Sequence, residues 1–584
     1  MAVRWRLRPF EPDRIRSLAA SAGLTSLTAQ LLLNRGVTTP EAARVFLENR
    51  LTSLHDPETL PGIVEAAERI RAAVLEGRRV VIYGDYDVDG VCGTSLLLGC
   101  LRLAGAKSLD YYIPHRVEEG YGINAEALRK IAEAGPALVV TVDCGISAIG
   151  PAELARELGL ELIITDHHHI GDRLPEADVL VHPRLPGGSY PFGDLCGCGV
   201  AFKLAWQVAK SFGDGKKASP HLREFLIEAV MLVALATVAD VMPLLGENRL
   251  LVHHGLNGLS MSPTLGLRAL LDVAGLSEAP RGINSGHVGF GLAPRINAAG
   301  RLERASTAVE MLTARDESTA RRLAETLDAC NRERQETEQS MVAEARELVE
   351  KSGPIDSRAA IVVAKDGWHK GIVGIVASRL VDIHHRPTIV LTIRDGMAQG
   401  SARSVPGFDL YAAIAACSDL LDRFGGHEAA AGLELAADRL DEFSERFEAR
   451  CRETLTPELR DRVISIDAET SVAQLDLRTL ETIGRLEPHG VGNPRPTIQI
   501  TRCRVAGEVK RIGQDQRHIK FRIVEGDSSI TALGWSMSDR AAELQSGVDY
   551  DFVGHPSINE FNGRREAQLE LRDFRRSGSK ESTG

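Results

Sequence analysis

The chain contains 584 residues, of which 43% are hydrophobic and 26% charged, and its formal net charge is −11. A chain of this length is too long to fold around a single hydrophobic core, and it suggests about three or four globular domains. The negative charge argues against a protein that coats nucleic acid nonspecifically. It does not exclude a nucleic-acid enzyme, because a local basic groove with a metal centre can do the binding.

Other features of the composition indicate a reducing compartment. Nine cysteines are scattered without a CxxC pair, so the sequence indicates neither a disulfide framework nor a zinc ribbon. The N-terminal stretch lacks the apolar core of a signal peptide, and no stretch approaches the roughly 18 apolar residues of a membrane span. We therefore expect a cytoplasmic protein without membrane contact.

The first part of the chain predicts a helical segment followed by alternating strands and helices. Residues 1–55 have a helical pattern, with Thr39 as an N-cap and Pro40 in the first turn of one helix. From about residue 60 to 260, β-branched runs alternate with helical patterns, which is typical of βαβ units around a parallel sheet. In such a sheet, ligands collect outside the carboxyl ends of the strands.

Polar residues of one kind follow each of these predicted strands. A single aspartate there is usually a turn residue or a helix cap, but several elements ending in this way favour a shared site. The residues are Asp85, Asp87 and Asp89 after the first strand, Asp143 after the second, Asp166, His167 and His168 after the third, and Asp240 after the apolar helical run Met231–Val238. If strand geometry persists through the first motif, its three aspartates point the same way, and a cation would hold them together.

The chemistry of these side chains favours a divalent cation. Carboxylates and imidazoles without thiolates suit Mn²⁺ or Mg²⁺ better than a soft-ligand zinc site. Two such ions about 3.5–4 Å apart would serve phosphate-ester hydrolysis, because they activate water and stabilise the charge of an in-line displacement. Adjacent His167 and His168 can hardly ligate one ion together from an extended backbone. We expect one to bind metal and the other to contact metal-bound water or phosphate.

The second half of the chain predicts a long helix, a second α/β domain and a small barrel. An amphipathic pattern over 311–353 predicts a connecting helix that ends at Gly353-Pro354. Strand and helix patterns resume over 354–455. Short alternating strands with Gly and Asn turns over 456–576 favour a small β-barrel, with an OB-fold as one candidate. The last residues, 577–584, predict a disordered tail.

A series of motifs resembles the DHH phosphoesterase superfamily. Three of them are Gly84–Gly90 (GDYDVDG), Val142–Gly145 (VDCG) and Asp166–His168 (DHH). One DHH triplet alone would be weak evidence, but further motifs are similar to the RecJ family of single-strand-specific DNA exonucleases, in order over nearly the whole chain. These are Ile113–Gly122, Cys198–Lys203, Ala236–Leu244, Gly291–Arg301, Gly367–Gly374, Gly400–Arg403, Gly425–Gly432 and Pro488–Pro494.

The resemblance implies an α/β multidomain protein. A parallel-sheet DHH domain over 56–310 would be joined by the long helix to a smaller α/β DHHA1 domain over 354–455, with a C-terminal all-β, OB-like barrel over 456–576. The resemblance also implies processive 5′→3′ hydrolysis of single-stranded DNA to 5′-mononucleotides in DNA recombination and repair, with two Mn²⁺ or Mg²⁺ ions. By motif position, the metal and catalytic residues would be Asp87, Asp89, Asp143, His167, His168 and Asp240.

One position departs from the superfamily pattern. Many members carry a metal-binding histidine where this chain has Tyr83, and a phenol is a poor ligand for these ions. Either Asp85 compensates as a further ligand, or one metal binds more weakly. The departure leaves the metal count open.

Positions that match the family's substrate contacts lie in both α/β domains. Arg116, Ser401 and Arg403 match positions that hold a phosphate near the 5′ end, where guanidinium and hydroxyl groups supply donors. Further candidate substrate contacts follow from the residues themselves rather than from family positions. They are Arg295, Asn297 and Arg301, in a Gly/Pro-rich loop suited to tracking the strand backbone, His369 and Lys370 at an expected helix start, which is a natural anion site, and His427, which approaches the reacting phosphate or caps a turn.

Basic residues also cluster on adjacent strands of the predicted barrel, with Phe521 and Trp535 nearby. Basic side chains with a few stacking rings are typical of single-strand OB platforms. For either ring alone, a place in the barrel core is the better prediction. The basic residues are Arg502, Arg504, Lys510, Arg511, Arg517, Lys520 and Arg522.

Two other functions compete with the exonuclease. One is a DHH phosphodiesterase that acts on very short RNA, short oligonucleotides or cyclic dinucleotides, or a pyrophosphatase, but such relatives are typically shorter and lack the barrel. The other is a non-catalytic single-strand-binding scaffold, against which the intact acidic and histidine residues argue. The resemblance further implies single-stranded DNA as substrate and, as partners, a single-strand DNA-binding protein and a RecQ-type helicase. The closed set of domains favours a monomer.

Overall fold

The computed structural model describes residues 3–116, 118–279, 282–302, 304–561 and 563–578. Most of the tail predicted to be disordered, from residue 579 onward, lies outside the described residues. The described chain forms two compact units. One comprises residues within Met1–Leu54, Pro243–His253 and Val463–Gly584, and the other comprises His55–Met242 and His254–Arg462.

The N-terminal segment contains the predicted helices but begins with a strand, which the prediction of a helical segment did not include. Its elements are β1 (Val3–Leu7), α1 (Pro12–Ala22), α2 (Ser26–Leu33) and α3 (Pro40–Glu48). The Thr39 side chain accepts a hydrogen bond from the amide of Ala42 and caps α3, as the Thr-Pro pair predicts. The strand was missed because only Trp5 of its five residues is buried, so the apolar signal is weak.

The predicted alternation of strands and helices produces a parallel sheet. Its elements are α4 (Ile63–Glu76), β2 (Val80–Gly84), α5 (Val88–Leu103), β3 (Leu109–Tyr112), α6 (Ala125–Glu133), β4 (Leu138–Val142), α7 (Ile149–Glu157), β5 (Glu161–Thr165) and β6 (Val179–Val181). The described strands pair in the order β3-β2-β4-β5-β6, and every pairing is parallel. Strands β2 and β4 are buried at every residue, as continuous β-branched runs predict for a sheet covered on both faces. The carboxyl ends of β2, β4 and β5 are therefore neighbours.

Helices continue the first α/β domain and then connect it to the second. They are α8 (Gly197–Ser211), α9 (Pro220–Ala239), α10 (Gly246–Met261), α11 (Leu265–Val273), α12 (Ser285–His287), a π-helical turn (Val288–Leu292), α13 (Ala293–Leu302), α14 (Ser306–Leu312) and α15 (Glu317–Lys351). Helices α5, α8 and α9 pack on one another. The predicted connecting helix corresponds to α15, which the Asp316 side chain caps by accepting from the Thr319 amide.

The second α/β domain carries a smaller mixed sheet. Its elements are β7 (Ile361–Asp366), α16 (Val373–His384), β8 (Thr388–Arg394), β9 (Met397–Arg403), α17 (Leu410–Ala415), β10 (Arg423–Gly426), β11 (Ala430–Ala436) and α18 (Leu440–Thr454). The described strands pair in the order β10-β11-β9-β8-β7, with β7 and β8 parallel and the other neighbours antiparallel.

The C-terminal strands close into a barrel. The elements are α19 (Pro457–Arg460), β12 (Arg462–Ile466), β13 (Ala468–Glu469), α20 (Leu477–Gly484), β14 (Ile498–Ile512), β15 (His518–Glu525), β16 (Ser528–Gly534), β17 (Asp549–Phe561) and β18 (Arg564–Arg576). Strand β12 pairs with β1 in a separate two-stranded sheet. The other C-terminal strands form one sheet, which closes because β14 pairs with both β15 and β17. Phe521 lies in the barrel core as predicted, whereas Trp535 is 53% exposed and meets the His518 ring edge-on at 4.8 Å.

The N-terminal helices share a hydrophobic core with this barrel. Ile15, Leu18 and Leu31 belong to the same buried cluster as Ile500 and Phe552. A distant segment joins them, because the buried Arg249 guanidinium donates to three consecutive backbone carbonyls after α20, those of Arg485, Leu486 and Glu487. The predicted division, which set 1–55 apart, does not include this association. Within the described residues, none of the helices combines the length and apolar character needed to cross a membrane.

Candidate metal centre

The candidate site lies where the carboxyl ends of three neighbouring strands meet. Asp85 follows β2, Asp143 follows β4 and Asp166 follows β5, and the amides of Asp85 and Asp143 donate to the carbonyls of Val142 and Thr165 on the adjacent strands. Helix α9 brings a further carboxylate, because Asp240 is its C-cap. The sheet edge thus collects the predicted residues from four separate elements.

The expectation that Asp85, Asp87 and Asp89 continue one strand is wrong. Strand β2 ends at Gly84 and α5 begins at Val88, because the Asp87 carboxylate caps the helix by accepting from the amides of Asp89 and Gly90. Glycine is required at position 90, since a Cβ there would lie 2.4 Å from the Asp85 carbonyl oxygen. A tight strand-to-helix turn, rather than alternation, therefore gathers the three carboxylates.

Asp89 also anchors the start of a second helix. Its two carboxylate oxygens accept from the amides of Gly197 and Cys198, each at 2.6 Å, at the N-terminus of α8. A carboxylate in this place is stabilised by the unpaired amides and by the positive end of the helix dipole. Asp89 thus fixes α5 and α8 relative to each other while remaining 3.7 Å from the imidazole of His167.

His167 is the side chain around which the carboxylates converge. Its Nε2 atom lies 3.1 Å from Asp143 Oδ1 and 3.6 Å from Asp240 Oδ2. Among the described residues, neither His167 Nε2 nor Asp143 Oδ1 makes a hydrogen bond, although both atoms are buried, and the same holds for Asp85 Oδ1. Buried polar atoms without hydrogen bonds are rare and require an explanation.

His168 is held by residues that the site prediction did not include. The Asp166 carboxylate accepts from the amides of His167 and His168 and lies 2.8 Å from His168 Nδ1, while its other oxygen accepts from the Ile146 amide. The Tyr121 hydroxyl lies 3.0 Å from the same nitrogen and donates to the Asp143 carbonyl. Asp166 and Tyr121 each lie in a motif quoted above, but their spacing alone did not distinguish an orienting residue from a ligand.

Nearby charges and burial explain which of the two adjacent histidines, His167 and His168, is protonated. Burial lowers the pKa of His168, but the hydrogen bond and the charge of Asp166, together with the charges of Asp240 and Asp89, outweigh it and raise that pKa to about 9. Burial, followed by the charges of His168 and His182, lowers the pKa of His167 and outweighs the opposing charges of Asp89 and Asp166. In the described structure, His168 therefore favours the cationic form and His167 the neutral form, which is the form that ligates metals.

The carboxylates themselves resist ionising together. Burial raises the pKa of Asp143 well above its usual range, and the charges of Asp89, Asp87 and Asp85 raise it further. Burial and the charge of Asp87 likewise raise the pKa of Asp85 well above its usual range. Burial, followed by the charges of Asp89 and Asp87, raises the pKa of Asp240 to about 8. A multivalent cation would reverse this, because it stabilises the ionised form of every carboxylate near it.

The donor set fits a divalent cation. Three overlapping groups bring one ligand atom per residue within 4.8 Å of one another, namely Asp85–Asp87–Asp143, Asp89–His167–Asp240 and Asp143–His167–His168. Oxygen and imidazole donors without thiolates match the preferences of Mn²⁺ and Mg²⁺. Asp143 and His167 each belong to two groups, and these two residues also carry the buried atoms without hydrogen bonds.

The Tyr83 side chain contacts residues outside the three donor groups. Its hydroxyl donates to the Gly122 carbonyl at 3.0 Å and accepts from the Asn124 amide group, and its ring stacks on Tyr112. Burial raises the pKa of the Tyr83 phenol, which keeps it protonated. The tyrosine thus has a packing role, while Asp85 lies in one of the three donor groups.

Several predicted phosphate contacts form a cluster of arginines. Burial, then the charges of Arg116, Arg334 and Arg403, lower the pKa of Arg301 to about 9. Arg116 lies over the ring of Tyr86, with its guanidinium carbon 4.7 Å from the ring centre. Arg334 pairs with Glu338 at 2.6 Å, and the remaining arginines of this cluster favour an anionic ligand.

Two other predicted substrate residues have structural partners. Arg295 pairs with Asp328 at 2.9 Å and donates to the carbonyls of Gly291 and Val273, which ties α13 to α15. The Asn297 side chain accepts from the Val88 amide at 3.2 Å and so holds the first turn of α5. The substrate contact of Arg295 stays a prediction, and in this structure its guanidinium takes part in this packing.

The remaining predicted substrate residues belong to the second α/β domain. Lys370 and Ser401 line a cavity of about 410 Å³ together with Arg423 and the glycine-rich ends of β10 and β11. The His369 ring accepts from the Gly371 amide just before α16, and His427 is an exposed turn residue after β10. Arg423 was not predicted, because an isolated arginine on a short strand carries no sequence signal.

Three family models match this chain in order. The DHH family N-terminal domain matches residues 79–236, the DHHA1 domain matches 356–453 and the RecJ OB domain matches 466–573. Each match falls inside the corresponding predicted division, 56–310, 354–455 and 456–576. The single-stranded-DNA-specific exonuclease RecJ of Bacillus subtilis is 40% identical over 98% of this chain and 70% of that protein. The chain belongs to the RecJ family.

Solved RecJ structures agree with this assignment. RecJ from Thermus thermophilus in complex with Mn²⁺ matches with a TM-score of 0.82 at 31% identity, over 98% of this chain and 80% of that one. The Mg²⁺ complex of the same protein matches with a TM-score of 0.76 at 29% identity, over 98% of this chain and 78% of that one. The predicted fold class is confirmed, and RecJ proteins have been solved with both cations expected from the residues.

Proposed function

We propose that this RecJ-family protein is a metal-dependent exonuclease that degrades single-stranded DNA from its 5′ end to 5′-mononucleotides, in DNA recombination and repair. The observation that carries the proposal is the pair of buried atoms without hydrogen bonds, Asp143 Oδ1 and His167 Nε2, at the centre of overlapping donor groups. The names of the relatives support the choice of substrate, since they specify single-stranded DNA.

In this proposal two cations are held by Asp87, Asp89, Asp143, His167 and Asp240, with Asp85 as a further ligand. Bound Mn²⁺ or Mg²⁺ would supply Lewis acidity and a nucleophilic water near neutral pH. Neutral His167 provides the imidazole ligand. His168, which Asp166 keeps cationic, donates a proton or a hydrogen bond to an oxygen of the scissile phosphate.

The substrate contacts follow from the same geometry. Arg116, Arg301 and Arg403 neutralise phosphates near the 5′ end, and Ser401 adds a hydroxyl donor. Lys370 and Arg423 attract the strand to the cavity of the second α/β domain. The barrel, with its basic strands and the exposed Trp535, binds the strand farther along.

The family resemblance carries the finer parts of the proposal. The protein acts as a monomer in the cytoplasm, and it works with a single-strand DNA-binding protein and a RecQ-type helicase. Mixing the purified protein with each proposed partner and measuring co-elution tests the two partnerships separately from the hydrolysis reaction. A partner that does not co-elute would be removed from the proposal without affecting the nuclease assignment.

A substrate comparison tests the proposed reaction. The protein is first stripped of metal with a chelator and then given Mn²⁺ or Mg²⁺ with single-stranded DNA, blunt duplex DNA, a dinucleotide and a cyclic dinucleotide. We expect 5′-mononucleotides from the single strand, little digestion of the duplex, and no activity before metal is added. Equal digestion of duplex and single strand, or turnover of the dinucleotides alone, would reject the proposal.

A further inference from the structure

Helix α9 ends in an unusual way directly beside the candidate metal centre. The amide of Val241 donates to the Val238 carbonyl and that of Met242 to the Thr237 carbonyl, which is the helix-ending pattern that places one residue in the left-handed region. Glycine normally occupies that place, but here it is Val241, with φ of 59°. Positive φ in a β-branched residue is strained, and such strain concentrates at functional sites.

Packing does not explain this valine. Val241 is 64% exposed, so its side chain stabilises the fold little in return for the strained backbone. It immediately follows Asp240, whose carboxylate lies 3.6 Å from His167. An apolar side chain is therefore presented to solvent at the edge of the acidic site.

A second apolar side chain is presented from a neighbouring element. Phe290 is 88% exposed, more than the other large apolar residues of the described chain, and it lies in the π-helical turn Val288–Leu292. The π-helical turn contacts α9, and a Cβ placed on its residue Gly289 would lie 3.9 Å from a methyl group of Val238, in the last turn of α9. π-Helical turns are rare in proteins as a whole, and those that occur are often found at functional sites. Phe290 also lies about two turns before Asn297, which holds the first turn of α5.

We propose that Phe290 and Val241 form a nucleobase-binding site beside the metal centre, on which a base of the single-stranded substrate stacks. The inference rests on the proposed function, since it takes single-stranded DNA as the ligand. The arginine cluster and the metal centre contact the phosphates, so the bases next to the metal centre need a separate, apolar contact surface. Aromatic and aliphatic faces suit this role because every base has an apolar face, so that stacking tolerates any sequence.

A double-mutant cycle on binding tests the site. The two ligands are a 5′-phosphorylated oligothymidylate and the same strand with abasic residues next to its 5′ end, both titrated in EDTA so that neither is consumed. We expect Phe290→Ala to weaken binding of the complete strand on the order of tenfold and to leave binding of the abasic strand unchanged. Phe290→Trp should restore the preference for bases. Equal losses on both strands, or no loss on either, would overturn the inference.

Two further variants separate this role from a structural one. Val241→Gly relieves the strained φ, so it should keep or raise the melting temperature while reducing the preference for the complete strand severalfold. A lower melting temperature with unchanged preference would contradict the inference. Met261→Ala removes another strongly exposed apolar side chain, at the end of α10, and should leave both affinities unchanged.

Hydrolysis of the same strands with Mn²⁺ keeps the two proposals distinguishable. Phe290→Ala should raise KM for the complete strand with a much smaller change in kcat, because stacking serves binding. A wild-type protein that hydrolyses no strand would overturn the proposed function, whereas the binding cycle in EDTA would still decide whether Phe290 contacts a base.

Discussion

His167 Nε2 lies 3.1 Å from Asp143 Oδ1 without a hydrogen bond between them, and both side chains are buried. In an apolar interior, a carboxylate oxygen and an imidazole nitrogen left in this way are unfavourable, since each loses its water without a replacement. A cation between them supplies the missing partner. This pair is therefore the strongest sign that the acidic cluster is a metal centre rather than a set of helix caps.

Asp143→Ala should abolish hydrolysis of single-stranded DNA. The variant removes an oxygen that belongs to two of the three donor groups, and we expect the rate to fall at least about a hundredfold, which corresponds to about 2.7 kcal/mol of transition-state stabilisation. Binding of single-stranded DNA should remain measurable, because the arginines and the barrel are untouched. Rates under Mn²⁺ and fluorescence anisotropy check the two expectations.

Asp172→Ala is the matched control for this prediction. Asp172 is an exposed acidic residue shortly after the two histidines, outside the three donor groups. The control should retain the wild-type rate and affinity. If Asp143→Ala kept the rate of this control, the metal assignment would be wrong.

Mn²⁺ affinity should rise with pH up to about 8. Burial, then the charges of Asp89 and Asp87, raise the pKa of Asp240 to about 8, so at lower pH a cation must displace a proton from this carboxyl group. For each proton displaced, affinity should increase about tenfold per pH unit between pH 6 and 8. Calorimetric titration at several pH values in buffers of different ionisation enthalpy measures both the affinity and the protons released. Affinity independent of pH in this range would contradict the account.

The same carboxyl groups should make the metal-free protein more stable at mildly acidic pH. Their folded-state pKa values lie above the unfolded values, so the folded state binds more protons, and the stability from this cluster is lost as pH rises through the folded-state pKa. Chelated protein should therefore unfold more easily at pH 8 than at pH 6, and saturating Mn²⁺ should remove much of that difference. Thermal unfolding with and without Mn²⁺ measures this.

Tyr83→Phe should leave the metal centre intact. The variant removes the hydroxyl that donates to Gly122 and accepts from Asn124, which should lower the free energy of unfolding by about 1 kcal/mol. Mn²⁺ stoichiometry and the rate of hydrolysis should stay close to the wild-type values. A loss of one bound Mn²⁺ ion in this variant would show instead that the phenol is a ligand.

His489 should make the unit that contains the barrel sensitive to acid. Burial, followed by the charges of Arg35, Arg495 and Arg249, lowers the pKa of His489 to about 3. Between that value and the ordinary pKa near 6.5 the unfolded state binds one more proton, so stability is complete above about pH 6.5 and falls as pH decreases. The loss from pH 7.5 to pH 5 should be about 2 kcal/mol.

His489→Gln isolates this contribution from those of other groups. Chemical denaturation of both proteins across this pH range should give a shallower pH dependence for the variant, whatever its absolute stability. Parallel pH profiles for the two proteins would show that His489 does not titrate as its surroundings predict.

Much of the parallel sheet and the barrel could be predicted, because continuous β-branched runs and short alternating strands are local patterns. Strands β2, β4 and β5 end at Gly84, Val142 and Thr165, directly before the aspartates that the sequence analysis places after them. Strand β1 was missed because it buries only Trp5. The association of the N-terminal helices with the barrel depends on contacts hundreds of residues apart, which a local pattern does not record.

The candidate site was predictable to a similar extent. The ligand types were visible because aspartates and histidines followed several strands, but the roles of Asp87 and Asp89 as helix caps required the three-dimensional turn. The ion pair of Arg295 could not be predicted, because its partner Asp328 lies on another helix, whereas an arginine in a glycine-rich loop suggests a phosphate contact. Phe290 gave no sequence signal, since its exposure depends on a single π-helical turn.

The central claim is that the acidic cluster hydrolyses single-stranded DNA from the 5′ end with a divalent cation. Its most direct measurement is the time course of label release from a single strand labelled at either end, with wild-type protein in Mn²⁺, in EDTA, and with Asp143→Ala in Mn²⁺. The account predicts immediate release of a labelled mononucleotide from the 5′ end and late release from the 3′ end, by wild-type protein in Mn²⁺ alone. Early release from the 3′ end, or equal release by Asp143→Ala, would contradict it.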